Sequence, residues 1–82
     1  MRLEDTIDGM VSSDYVDRFV AEVQQLKIRI DNLETILERE SQGRLGFKLN
    51  CPVELLLEQL EAMEHLLKIY NKRAEIEGIT IF

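Results

Sequence analysis

Tryptophan is absent from this 82-residue chain, histidine, proline and cysteine each occur once, and aromatic residues make up only 6% of it. A lone Cys51 can close no disulfide and build no thiolate metal site within one chain, and it suits a reducing compartment such as the cytosol. The single histidine, His65, has Glu61 and Glu64 nearby, but a solvated or half-buried histidine explains that spacing without a metal. No stretch of about 18 apolar residues is present to span a bilayer. The first residues place Arg2, Glu4, Asp5 and Asp8 among apolar ones, which breaks the continuous run a signal peptide needs, so no membrane association is expected. Basic surplus is missing as well: the net charge is −6, whereas general affinity for nucleic-acid backbones comes from a basic surface releasing counterions. DNA is therefore not an expected partner. A Gly-rich phosphate loop, a nucleophile elbow and a paired-histidine motif are all lacking, so the chain reads as a non-enzyme with no catalytic residue, cofactor or metal.

What is present is helical periodicity. The composition is 45% apolar and 32% charged, a balance that suits long amphipathic helices in one small domain covering residues 1–82. Val16, Phe19, Val23, Leu26, Ile30, Leu33 and Leu37 recur at alternating steps of three and four, with no Gly or Pro from Asp14 to Glu40. This spacing predicts a first helix over residues 14–40, with Ser13 as its N-cap and Asp14 and Asp17 favoured by the positive end of the dipole. Gly43 or Gly46 ends it, opening a loop over 41–51 whose Leu45, Phe47 and Leu49 are expected to fold over the open end as a plug. Pro52 suits the first position of a second helix over 52–77, whose seam is Val53, Leu56, Leu60, Met63, Leu67, Tyr70 and Ala74. Gly78 closes that helix, leaving Ile79, Thr80, Ile81 and Phe82 as an apolar tail over 78–82 with no evident place in a two-helix core. The expected fold class is all-α: an antiparallel two-helix hairpin, coiled-coil-like, joined by a short loop.

Two helices of this length, about 40 Å each at 1.5 Å per residue, bury only their facing stripes. Yet the second carries a further stripe of Leu55, Ala62, Leu66, Ile69 and Ile76, and the first adds Val20, Ile28 and Ile36. Burying four such aliphatic side chains against another chain would gain roughly 6–12 kcal/mol before association costs. Assembly into a homo-oligomer is therefore expected, with Leu66, Ile69, Ile76, Ile79, Ile81 and Phe82 as interface residues; the alternative is that the loop and the two termini cover the extra apolar residues within one chain.

Tyr15, Arg18 and Glu22 share one flank of the first helix, and Lys27 and Arg29 follow further along it. An aromatic ring beside a cation is what stacks a base and pairs a phosphate, although Arg18 and Glu22 also fit an ordinary surface ion pair. Lys68, Lys72 and Arg73 near the end of the second helix carry the same two readings.

The pattern Tyr15-x-x-Arg18-Phe19-x-x-Glu22-x-x-Gln25-Leu26-x-x-Arg29, then Leu56-x-x-Gln59-Leu60-x-x-Met63 with Ile69 and Arg73 following, resembles a family of small phage helical hairpins. This is the anti-CBASS and anti-Thoeris nucleotide-sponge group, with members in crAss-type phages, and the likeness covers roughly Asp14 to Ile79. The resemblance implies a homohexamer in the host cytoplasm that binds cyclic di- or trinucleotide messengers of bacterial defence without cleaving them. It also implies pockets between protomers that use Tyr15 and Arg29, with Arg18, Lys27 and Arg73 as further ligand-binding candidates. An arginine stands at Arg29 where the pattern commonly has lysine, and the acidic charge works against a polyanion. Another reading from the residues alone is a non-catalytic coiled-coil protein that binds a phage or host protein through Leu66, Ile69, Ile76 and the tail. A metal-assisted hydrolase would need ligands that one histidine and scattered acids do not offer.

Overall fold

A 3-10 turn at Leu3–Thr6 leads directly into a short helix α1, Ile7–Met10, and the rest of the chain is dominated by α2, Tyr15–Ser41, and α3, Val53–Glu77. This computed structural model describes residues 1–81, and no strand occurs among them. Phe82, named above as an interface residue, lies outside the described residues.

Local chemistry sets the helix ends. Asp14, not Ser13, is the N-cap of α2: its backbone is extended (φ −84°, ψ 125°) and its Oδ1 accepts from the Val16 N–H at 2.8 Å. Ser12 explains the one-residue difference, because its hydroxyl accepts from the Asp14 N–H at 3.1 Å and donates to Asp17 at 3.0 Å, so the turn is organised before Asp14 is reached. At the other end Gly43 adopts φ 67° and the Arg44 N–H returns to the Arg39 carbonyl at 2.8 Å, a left-handed closure that satisfies a free carbonyl. Pro52 is the N-cap of α3 rather than its first helical residue: at ψ 144° it is extended, and its carbonyl accepts from Leu55 and Leu56. Gly78, at φ 69° and ψ 30°, ends α3, and the Ile79 N–H reaches the Ala74 carbonyl at 2.8 Å.

Phe19, Val23, Leu26 and Ile30 of α2 and Tyr70 and Ala74 of α3 form the buried core, with Leu60, Met63, Leu67, Ile79 and Ile81 packed against it. The order of contacts is informative: Tyr15 meets Glu77, Phe19 meets Tyr70, and Leu26 and Arg29 share a groove with Leu66. Burial is uneven. On α3 only Tyr70 and Ala74 are buried, while Val53, Leu56, Leu60, Met63 and Leu67 remain half-exposed along their seam.

Three segments differ from the expectations above. The tail finds a place after all, since Ile79 and Ile81 are half-buried on the chain's own core once Gly78 turns the backbone across it. The loop makes no complete plug: Leu45 and Leu49 are half-buried, but Phe47 is 60% exposed. The N-terminal residues, in which no helix was expected, fold back onto α2 instead. Thr6 is buried there, donating its hydroxyl to the Leu3 carbonyl at 2.6 Å and accepting from the Gln25 amide at 3.0 Å.

Candidate functional site

Positions 15, 22 and 29 are seven residues apart and so fall on one flank of α2, while 66, 70, 73 and 77 alternate by four, three and four along α3. Packing the two helices brings these flanks together along the α2–α3 seam. At its end Tyr15 and Arg73, 58 residues apart in sequence, meet directly: Arg73 Nη2 donates to the Tyr15 hydroxyl at 3.0 Å. The same hydroxyl donates to Glu77 Oε1 at 2.8 Å, and Arg73 Nε lies 3.5 Å from Glu77 Oε2.

Aromatic rings floor this cluster. The Arg73 guanidinium carbon sits 4.8 Å from the centroid of Phe19 and 5.8 Å from that of Tyr70, and the two rings meet edge-on at 5.8 Å. Stacking of this kind fixes a cation in place and contributes about 0.5–1 kcal/mol at an exposed site. The Arg73 guanidinium is held protonated more firmly than usual, chiefly by the hydrogen bond to Tyr15, with Glu77 adding to the effect and desolvation opposing it. Tyr15 itself is 46% exposed, its ring 6.1 Å from that of Phe19, so it presents an aromatic face next to a fixed positive charge.

One step along the seam, the Tyr70 hydroxyl donates to Glu22 Oε1 at 2.6 Å. That bond, then burial, then the Glu22 charge push the Tyr70 pKa above its ordinary value, with Arg73 pulling the other way. Beyond it Arg29 lines a shallow depression with Glu22, Gln25, Leu26, Leu66 and Tyr70. No ion pair joins Arg29 to a described residue.

The expected ligand residues thus divide. Tyr15 and Arg73 are in contact, and Arg29 lies on the same flank of α2 about four turns away, roughly 21 Å along the axis. Arg18 is turned aside, its Nη1 donating to the Ser12 carbonyl at 2.8 Å, where it braces the turn before α2. Lys27 lines a different groove with Met1, Gln24, Ile28 and Asp31. Of the expected interface residues, Leu66, Ile69 and Ile76 are exposed, whereas Ile79 and Ile81 are half-buried on the core. Glu77, Phe19 and Tyr70 were not singled out as site residues from sequence. Their heptad spacing from Arg73 and Tyr15 was the available signal, but it marks Phe19 and Tyr70 equally well as plain seam residues.

His65 lines an open groove with Glu58, Glu61, Glu64 and Lys68, and no group of three His, Cys, Asp or Glu side chains converges to hold a metal ion among the described residues. No described helix is long and apolar enough to cross a membrane.

A protein-family model described as Sequestin matches residues 13–76, which takes in α2, the connecting loop and nearly all of α3. No curated protein and no solved structure matches the chain.

Proposed function

The chain belongs to the Sequestin family, and from that membership we propose that it is a phage immune-evasion protein that sequesters cyclic oligonucleotide messengers without cleaving them. The messengers are those of bacterial anti-phage defence of the CBASS or Thoeris type, and the site of action is the host cytoplasm. The observation that carries this reading is the Tyr15–Arg73 contact over the Phe19 and Tyr70 rings, an exposed aromatic beside an immobilised guanidinium. A ring stacks a base and a fixed cation pairs a phosphate.

In this reading the antiparallel hairpin is the protomer of a homo-oligomer, a hexamer by family likeness. Two observations support assembly. Leu55, Leu66, Ile69 and Ile76 form an exposed apolar stripe on α3. Arg29 is also too far from Tyr15 along α2 for both to grip one compact cyclic dinucleotide from the same chain, so a pocket using both draws them from different protomers. Arg29 supplies a charge with no ion pair to a described residue to break, and Arg18 and Lys27 serve as outer contacts at most.

Calorimetric titration with a panel of cyclic di- and trinucleotides and cyclic ADP-ribose isomers tests the proposal, followed by heat release and chromatographic recovery of the ligand. Submicromolar binding with intact ligand recovered is expected. Tyr15→Ala combined with Arg29→Ala should abolish binding while assembly persists. No binding across the panel would instead favour a non-catalytic interaction protein, for which the exposed α3 stripe is the supporting observation. A cleaved product would overturn the non-enzymatic reading.

A further inference from the structure

The Tyr15 hydroxyl and the Arg73 guanidinium, the two groups best suited to an anionic ligand, are both already engaged by one carboxylate. We infer that Glu77 is an internal stand-in for a ligand phosphate, occupying the Tyr15–Arg73 anion site in the unliganded chain and setting the charge a ligand must bring to displace it. The inference rests on the sequestration reading and adds to it the residue that governs selectivity at that site.

Three observations converge. The first is geometric: Glu77 takes a hydrogen bond from Tyr15 at 2.8 Å through one oxygen and pairs with Arg73 at 3.5 Å through the other, the two-point grip by which a hydroxyl and a guanidinium hold a phosphate. The second is placement. Glu77 is the last residue of α3, where the negative end of the dipole disfavours a carboxylate, and the last turn carries no basic residue to offset it. Tyr15 and Arg73 hold it there against that preference. The third is access: the side chains of Arg73 and Glu77 are 44% and 34% exposed, so an incoming anion reaches the pair without opening the core.

The consequence is a threshold. A ligand with one phosphodiester exchanges one charge for another at this site and gains little. A cyclic di- or trinucleotide places one phosphate here and retains others for cations such as Arg29. Exposed ion pairs are weak, so the competitor is easily displaced, and its removal should tighten binding only about fivefold.

The test compares wild type, Glu77→Gln and Glu75→Gln by calorimetric titration with cyclic AMP, cyclic di-AMP and cyclic tri-AMP, with elution volume checked for each protein. Glu75→Gln removes the same charge from the same turn, and Glu75 has no part in the Tyr15–Arg73 pairing. Tightening of about fivefold for Glu77→Gln alone, in similar proportion for every probe that places a phosphate at this site, is the expected result. Equal tightening by Glu75→Gln would reduce the effect to overall charge and overturn the inference. Wild-type binding that is unchanged or weakened by Glu77→Gln would also overturn it, while leaving sequestration standing. If neither wild type nor Glu77→Gln binds any of the three probes, the inference falls, and if the wider panel also fails, the sequestration reading falls with it.

Discussion

The Tyr70 hydroxyl links the buried core to the polar edge of the seam, because its ring packs against Phe19 while its oxygen donates to Glu22 at 2.6 Å. The bond to Glu22, burial and the Glu22 charge raise its pKa, so the fold prefers the protonated phenol. The resulting stability is fully present below the unfolded value of about 10 and is lost as the pH rises through the higher folded value. The two tyrosines absorb together, so the difference between the alkaline absorbance titrations of wild type and Tyr70→Phe isolates Tyr70. A difference curve with its midpoint above 10 is expected, with thermal stability falling over the same interval, and a midpoint at or below 10 would contradict the role given to Glu22. Near neutral pH, Tyr70→Phe should cost on the order of 1–2 kcal/mol in thermal unfolding, the range for a hydrogen bond to a charged group that is partly solvated. Much at this scale was legible in the sequence. Tyr15, Arg29 and Arg73 stood out as aromatic and cationic residues on helix flanks, whereas Glu22 was legible only as an ion-pair partner for Arg18 and Glu77 not at all, because an acidic residue on a helix surface is the commonest thing such a helix has. Only the packing of α2 on α3 shows which carboxylates have been recruited.

Among the elements, the long helices were visible as seams, and Phe19, Val23, Leu26, Ile30 and Leu33 of the first seam are buried. Gly43 and Gly78, the two described residues with positive φ, mark where those helices stop. The N-terminal segment was not visible, for a physical reason. A 3-10 turn followed by a four-residue helix is too short for any period to emerge, and it is held by small groups instead of an apolar stripe. Gly9 is the clearest of these: a Cβ there would lie 2.8 Å from the Ala21 Cβ and 3.3 Å from the Asp17 carbonyl oxygen, with no flexible side chain to yield. Gly9→Ala would ordinarily favour a helix, but here the overpacking, about 1–3 kcal/mol, outweighs that gain. The segment should detach from α2 while α2 and α3 stay paired. Hydrogen exchange checks this directly: the Val11 and Ser12 amides, bonded to Ile7 and Gly9, should lose protection in Gly9→Ala while those in the middle of α2 keep it. Unchanged protection at Val11 and Ser12 would show that the contact at Ala21 has room to relax.

For the whole molecule, size and shape carry the argument for assembly. The radius of gyration is 14.9 Å, against about 12 Å for a compact domain of this length. The accessible surface is 6107 Å², about 1,000 Å² more than a folded 9.6 kDa monomer normally exposes. The surplus is not evenly polar: on α3 it includes Leu55, Leu66, Ile69 and Ile76, of which Ile76 is 86% exposed. An apolar stripe along a helix whose inner seam is itself only half-covered is the surface a second copy of the chain would bury. Ile69→Asp with Ile76→Asp tests that idea without touching the core, since neither side chain belongs to it. Each buried aliphatic side chain contributes roughly 1.5–3 kcal/mol, and a charge in its place adds a desolvation penalty. The double change should therefore weaken association by more than about a hundredfold. Sedimentation equilibrium should show wild type well above 9.6 kDa at micromolar concentration and the double variant shifted toward it, with the helical circular dichroism of the chain retained. A wild type already at monomer mass would remove the need for any partner copy. An assembled variant would place the interface elsewhere, and the outer residues of α2, Val16 among them at 44% exposed, would be next to test. If the variant dissociates and also loses nucleotide binding while its Tyr15 and Arg73 remain in place, the pocket itself is shared between protomers. Binding retained by the monomer would confine the pocket to the Tyr15–Arg73 end of one chain.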